Sequence, residues 1–148
     1  MKTDTDAHPD KPDSQVPRVS RKALWTGCIM SALPALFLLL DGIMKLIKPE
    51  PVVKATIELG YPESVIFNLG IILLACVVLY LIPRTSILGA ILLTGYFGGA
   101  IATHVRVGNP LFSHVLFPVY LAVLVWGGLF LREPRLRTLI PLRREACE

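Results

Sequence analysis

The stretch VIFNLGIILLACVVLYLI, residues Val65 to Ile82, decides the fold: its eighteen residues hold no charged side chain. Backbone N–H and C=O groups in lipid find no water, so an apolar run of this kind closes its hydrogen bonds internally, as a helix rather than a strand. A hydrocarbon core of about 30 Å needs roughly 20 such residues at about 1.5 Å rise each. Pro83-Arg84 closes the run with a residue that cannot continue a helix and a charge that suits a membrane surface.

Three more segments reach spanning length on either side of it: Ala23–Ile47, Ile87–Val105 and Val115–Leu131. Pro34 lies inside the first, Asp41 and Lys45 near its end, and Pro118 in the first turn of the last. The expected fold is therefore all-α, a four-helix transmembrane bundle. Composition agrees, since 53% of the 148 residues are hydrophobic and 18% charged, against about 45–50% and about 25% in soluble domains. The mean hydropathy of +0.61 understates the contrast, because residues 1–22 hold almost no large apolar side chains. That segment, with Pro9, Pro12 and Pro17, buries too little to offset chain entropy and is expected to be a disordered tail. Residues 132–148 form a second, basic tail. These features exclude a soluble enzyme, a disordered chain and a disulfide scaffold. The apolar run after Lys22 is too long for a signal-peptide core of about 7–15 residues and lacks a small-x-small cleavage pattern, so it is expected to be retained.

Between the first two spans, PVVKATIELG (Pro51–Gly60) reads as a brief amphipathic helix lying along the interface. Pro51 suits a first helical position, Lys54 and Glu58 are four apart, and Gly60 suits the residue past the end. Tyr61-Pro62 then turns the chain back.

Orientation follows from Lys and Arg. With four spans, the termini and the connection between spans two and three share one side. That side carries Lys2, Lys11, Arg18, Arg21, Lys22, Arg84, Arg132, Arg135, Arg137, Arg143 and Arg144, against Lys45, Lys48, Lys54 and Arg106 opposite. The bias predicts both termini in the cytoplasm. The net charge of +4 is accounted for by juxtamembrane residues facing anionic lipid. The lipid bilayer is thus the partner, and no nucleic acid is expected.

Several polar residues converge at the outer level. Asp41 nears the outer end of span one with Lys45 one turn beyond, His104 and Arg106 end span three, and His114 precedes span four. A charge within a membrane helix costs about 2.5–3.5 kcal/mol on insertion scales and faces a bundle interior or cavity. Asp41 accordingly needs a partner. One reading pairs it with Lys45 or Arg106 to lock helices together. Another makes Asp41, His104 and Arg106 the lining of a small outward pocket for an anionic or quinone-like head group, with His104 exchanging a proton. A third gives His104, His114 and Asp41 to a metal, although neither HxxxH nor HExxH is present. No motif identifies a cofactor.

Span three also carries small residues at four-residue spacing, Gly95 with Gly99 and Gly98 with Ala102, beside Gly89, Ala90, Thr94 and Thr103. Such faces let helices approach closely in lipid, either inside the chain, with span three central, or between copies in a homo-oligomer. Cys28 and Cys76 lie at similar depths in spans one and two. A disulfide would need Cα atoms closer than about 7 Å; otherwise each thiol is a small hydrophobe.

GAILLTGYFGGAIATHVRVGNP (Gly89–Pro110) resembles the third-helix signature of the DoxX-like membrane proteins. Gly42-Ile-Met-Lys-Leu, Leu59-Gly-Tyr-Pro62, Leu79-Tyr-Leu-Ile-Pro-Arg-Thr85 and Leu136-Arg-Thr-Leu-Ile-Pro141 are similar to the same pattern, which covers roughly residues 36–144. The resemblance implies a four-helix bundle in a bacterial inner membrane, and it gives His104 and Arg106 priority as site residues. Where members often carry an acidic residue in the second helix, this chain has apolar Leu73 or a neighbour. The family name implies an association with a quinol oxidase, and relatives are linked to thiosulfate–quinone chemistry. The expectation is an accessory subunit of a respiratory or thiol-redox partner. The alternatives are a membrane enzyme binding a quinone or small lipid-like molecule, or an oligomeric small-solute transporter.

Overall fold

A computed structural model describes residues 21–133 and residue 136. The expected tails at 1–22 and 132–148 lie, apart from a few residues at their inner edges, outside the described residues. The chain runs α1 (Arg21–Ile47), α2 (Glu50–Glu58), α3 (Glu63–Leu81), α4 (Ser86–Arg106) and α5 (Phe117–Arg132). Four stretches, Leu24–Ile47, Glu63–Leu81, Ser86–Arg106 and Leu111–Arg132, are long and apolar enough to cross a membrane. Helix bounds fall within a few residues of the sequence expectation.

The four long helices close a square. α1 and α4 each pack on both α3 and α5 and stand diagonally across from each other. Tyr80, Leu73, Val77, Leu93, Val125 and Leu129 fill the centre. The outside is as apolar as the inside: Leu33 and Leu36 are 61% and 62% exposed. A water-soluble surface does not carry such a continuous greasy face, whereas lipid solvates it. Among the described residues the molecule is a four-helix membrane bundle with the short α2 beside it.

Small residues set the tightest contacts. Gly89 of α4, one of those expected, lies against the Tyr80 backbone at the end of α3, where a Cβ would overlap; the others fall at positions not expected. A Cβ on Gly128 of α5 would overlap Ser31 Oγ and stand 2.7 Å from Ser31 N on α1. On the α1–α3 face, a Cβ on Gly70 would lie 3.1 Å from the Gly42 carbonyl oxygen. Gly95, Gly98 and Gly99 instead have nothing within 4 Å of such a Cβ, and Ala102 is exposed. Their stripe faces outward from a helix at a corner of the square, not at its centre. Cys28 is exposed on α1 and Cys76 buried on α3, both as free thiols.

Turns at the α2 end position the site. Lys48 adopts φ +54° and stops α1, its N–H reaching back to Met44 at 2.9 Å in the manner of a left-handed helix cap. α2 starts at Glu50, one residue before Pro51. Lys54 pairs with Glu50 at 2.7 Å rather than with Glu58; a carboxylate in the first turn also meets the positive end of the helix dipole. Before α5, Leu116 N–H bonds Leu111 O at 2.9 Å, five residues back. This wide turn delivers the chain to Pro118, whose missing N–H is harmless in the first turn of a helix.

Candidate functional site

At the α2 end the bundle encloses a cavity of about 490 Å³, within the size range of small-ligand pockets. All five helices contribute to its wall. α2 roofs it with Val52, Ala55, Thr56 and Leu59, and the long helices line it with aromatic and aliphatic side chains, including Phe37, Phe97 and Phe117. Into this apolar space project Asp41, Lys45, Tyr61, Tyr96, Thr103 and His104.

Asp41 is held by its neighbour one turn on. Lys45 Nζ donates to both carboxylate oxygens at 2.5 Å, and the Lys45 side chain is only 15% exposed. Six residues separate Asp41 from Ile47, placing it about 9 Å inside the helix end. At that depth an unpaired carboxylate would be costly, and the pair cancels its own charge.

A second pair faces it from the α3–α4 side. Thr103 Oγ1 donates to the Gly99 carbonyl at 2.8 Å, its helix neighbour four residues back. With that hydrogen used, the Tyr61 hydroxyl donates to Thr103 Oγ1, also at 2.8 Å. His104 accepts at Nδ1 from the Asn109 amide at 2.8 Å. An amide NH2 only donates, so the neutral ring carries its proton on Nε2. Tyr96 is half-buried, and among the described residues its hydroxyl has no hydrogen-bond partner. The cavity therefore presents two unspent donors, Tyr96 OH and His104 Nε2–H, beside a self-neutralised ion pair.

Arg106 departs from expectation. It does not line the cavity; Nη2 donates to the Leu59 carbonyl at 2.8 Å. The same Nη2 would lie 3.0 Å from a Cβ on Gly60, where φ is +84°. Glycine is needed there both for that backbone conformation and for the room the guanidinium takes. Arg106 thus fastens the end of α2 to the last turn of α4 and brings no charge to the pocket, whose lining Lys45 is paired with Asp41. The rings of His104 and His114 do meet, with centroids 5.7 Å apart. Among the described residues, however, no three His, Cys, Asp or Glu groups gather as a metal site would require, and Asp41 is committed to Lys45.

Of the residues singled out from sequence, Asp41, Lys45 and His104 line the cavity; Tyr61 and Thr103 line it too, although the sequence reads the first as part of a turn and the second as a small packing residue. Tyr96 and Thr103 are seven apart, two helical turns on one face, with Ala100 between them; that spacing was the available signal.

These features define a class: a small four-span membrane protein with an apolar pocket, few convergent polar groups and a short helix for a roof. The chain belongs to the DoxX-like family, whose profile matches residues 29–128. Every residue lining the cavity falls within that stretch. No curated protein and no solved structure matches the chain.

Proposed function

We propose that this DoxX-like protein is a ligand-binding membrane subunit whose pocket holds a neutral, flat, carbonyl-bearing head group of the quinone kind. The supporting observation is the donor set. Tyr96 OH and His104 Nε2–H point toward carbonyl oxygens as their natural acceptors, and the phenylalanine and tyrosine walls favour a ring. Net charge argues against an anionic head group, because Lys45 is spent on Asp41 and Arg106 on Leu59.

A tail-less benzoquinone titrated into the protein in nanodiscs tests this reading. Saturable binding that weakens in His104→Ala and Tyr96→Phe variants of normal folded yield supports it. Non-saturable partitioning equal to that of empty discs overturns it. With this ligand the protein would serve a membrane redox partner as an accessory subunit rather than act alone, since the pocket holds no recognisable catalytic set. Turnover of a quinone by the purified chain would sink the accessory assignment.

Membership of the DoxX-like family supports a bacterial inner membrane location, and the Lys/Arg bias supports both termini in the cytoplasm. On this reading α2 and the pocket mouth face outward, and Lys54→Cys reacts with a membrane-impermeant maleimide on intact cells. Labelling only after permeabilisation would reverse the orientation.

A further inference from the structure

We infer that the pocket opens sideways into the bilayer between α3 and α4, at Gly99, and that its ligand is a single-tailed amphiphile whose hydrocarbon chain leaves through this window. The inference rests on the pocket being the binding site.

Four observations carry it. Ile72 on α3 and Gly99 on α4 both line the cavity. Both also belong to the outer surface, Ile72 being 52% exposed and Gly99 exposed as well. A wall residue that is also a surface residue marks a place where the cavity reaches the outside. A Cβ built on Gly99 meets nothing within 4 Å, so no side chain closes the gap there. Phe37 and Phe117 are also wall residues with exposed surface, at 45% and 40%, but there the α1–α5 seam is spanned by their two rings, which meet edge-to-face with centroids 5.3 Å apart.

Depth says what lies beyond the window. Gly99 is seven residues from the end of α4 at Arg106, about 10 Å along the axis. Outside at that level are acyl chains rather than water. Most of the polar groups sit nearer the roof: His104 and Thr103 are about one turn further along α4 and Tyr61 starts the chain towards α3, while Tyr96 lies about one turn deeper than Gly99. Head under α2 and tail through Gly99 is the arrangement that matches polar to polar and apolar to apolar along one molecule. Lipid is as apolar as the window, so threading the tail adds little affinity. Blocking the window, however, removes the bound pose for any ligand that has a tail.

The test pairs two ligands with two variants of the full chain in nanodiscs. The ligands are a benzoquinone with a ten-carbon alkyl chain and its tail-less analogue. Binding is read as quenching of tryptophan fluorescence, with empty discs correcting for partition. Gly99→Leu plugs the window; Gly95→Leu alters the same stripe at a residue outside the pocket wall. The expected result is a loss of about tenfold or more for the tailed quinone with Gly99→Leu. The tail-less quinone then stays within about twofold, and Gly95→Leu leaves both ligands within about twofold. Equal loss of both ligands, or of neither, overturns the window. So does a fall in crosslinked dimer with both leucine variants and no selective effect on the tail, which would assign the stripe to a second copy of the chain. If the unaltered protein binds neither quinone, the pocket reading fails and the window with it. If it binds the tail-less form and Gly99→Leu does not discriminate, only the window falls.

Discussion

Arg106 donates to the carbonyl oxygen of Leu59 across 2.8 Å, so the last turn of α4 holds the end of α2, forty-seven residues earlier in the chain. With Tyr61 on Thr103, this gives the α2–α3 turn two polar ties to α4, whereas α2 itself packs mainly through a thin apolar face on α3 and α1. The roof over the pocket is therefore held chiefly at one end.

Loosening that end should expose the pocket without unfolding the bundle. Thr56 lies buried on the roof's inner face, and a cysteine placed there reports opening. In an Arg106→Ala background, Thr56→Cys should react with a polar maleimide several-fold faster than with Arg106 present, while the elution volume in detergent is unchanged. Equal rates would show that α2 does not depend on the tie.

The α1–α5 contact should be sterically strict. A Cβ at Gly128 has no room beside Ser31, and overpacked positions cost about 1–3 kcal/mol. Gly128→Ala is expected to lower the thermal midpoint in detergent by that equivalent. Gly95→Ala, in open space, should not lower it. The reverse ranking would mean that α4's stripe, not Gly128, bears the packing.

How much of this was legible beforehand depends on the type of signal. Apolar run length is a one-dimensional property, so the span from Val65 to Ile82 announced α3 almost to the residue. Charge pairing at i,i+4 is local, and Asp41–Lys45 was readable for that reason. Arg106 was not: its partner is a backbone carbonyl, which no residue type reveals. The small residues of α4 predicted the close contacts only in part: Gly89 lies against the Tyr80 backbone, whereas Gly95, Gly98 and Gly99 satisfy the spacing rule yet face open space, and Gly128 makes its contact with no small residue four away. Spacing says that helices can approach, while the positions of α3 and α5 decide which face they use. The pocket itself draws on all five helices, and its shape exists only once they are assembled.

Two tyrosines, Tyr80 at the end of α3 and Tyr96 midway along α4, should separate binding from stability. Tyr80 is fully buried and its hydroxyl donates to the Val125 carbonyl at 3.0 Å, while the Arg132 guanidinium stands 5.1 Å from its ring centre. Tyr80→Phe deletes a buried bond and is expected to cost about 0.5–1.5 kcal/mol of stability with no change in ligand affinity. Tyr96→Phe deletes a hydroxyl without an internal partner, so the thermal midpoint should hold while quinone affinity falls about two- to tenfold. Coincident changes in both variants would indicate that the two hydroxyls play the same role.

The ion pair admits a sharper test, because its two members are not equally costly to strand. Lys45 is 15% exposed and Asp41 35%, so Asp41→Asn leaves an ammonium with little water to solvate it. Breaking such a pair from one side is destabilising, whereas replacing both charges with neutral groups of similar size removes the desolvation cost along with the attraction. Asp41→Asn alone should therefore destabilise more than Asp41→Asn with Lys45→Gln. The coupling energy from the four-protein cycle is expected at about 0.5–3 kcal/mol, measured by thermal or chemical unfolding in one detergent. Additive single effects would mean that the two groups do not depend on each other. The roof and pocket would then have to be stabilised without them, and the argument that Lys45 is unavailable to an anionic ligand would lose its basis.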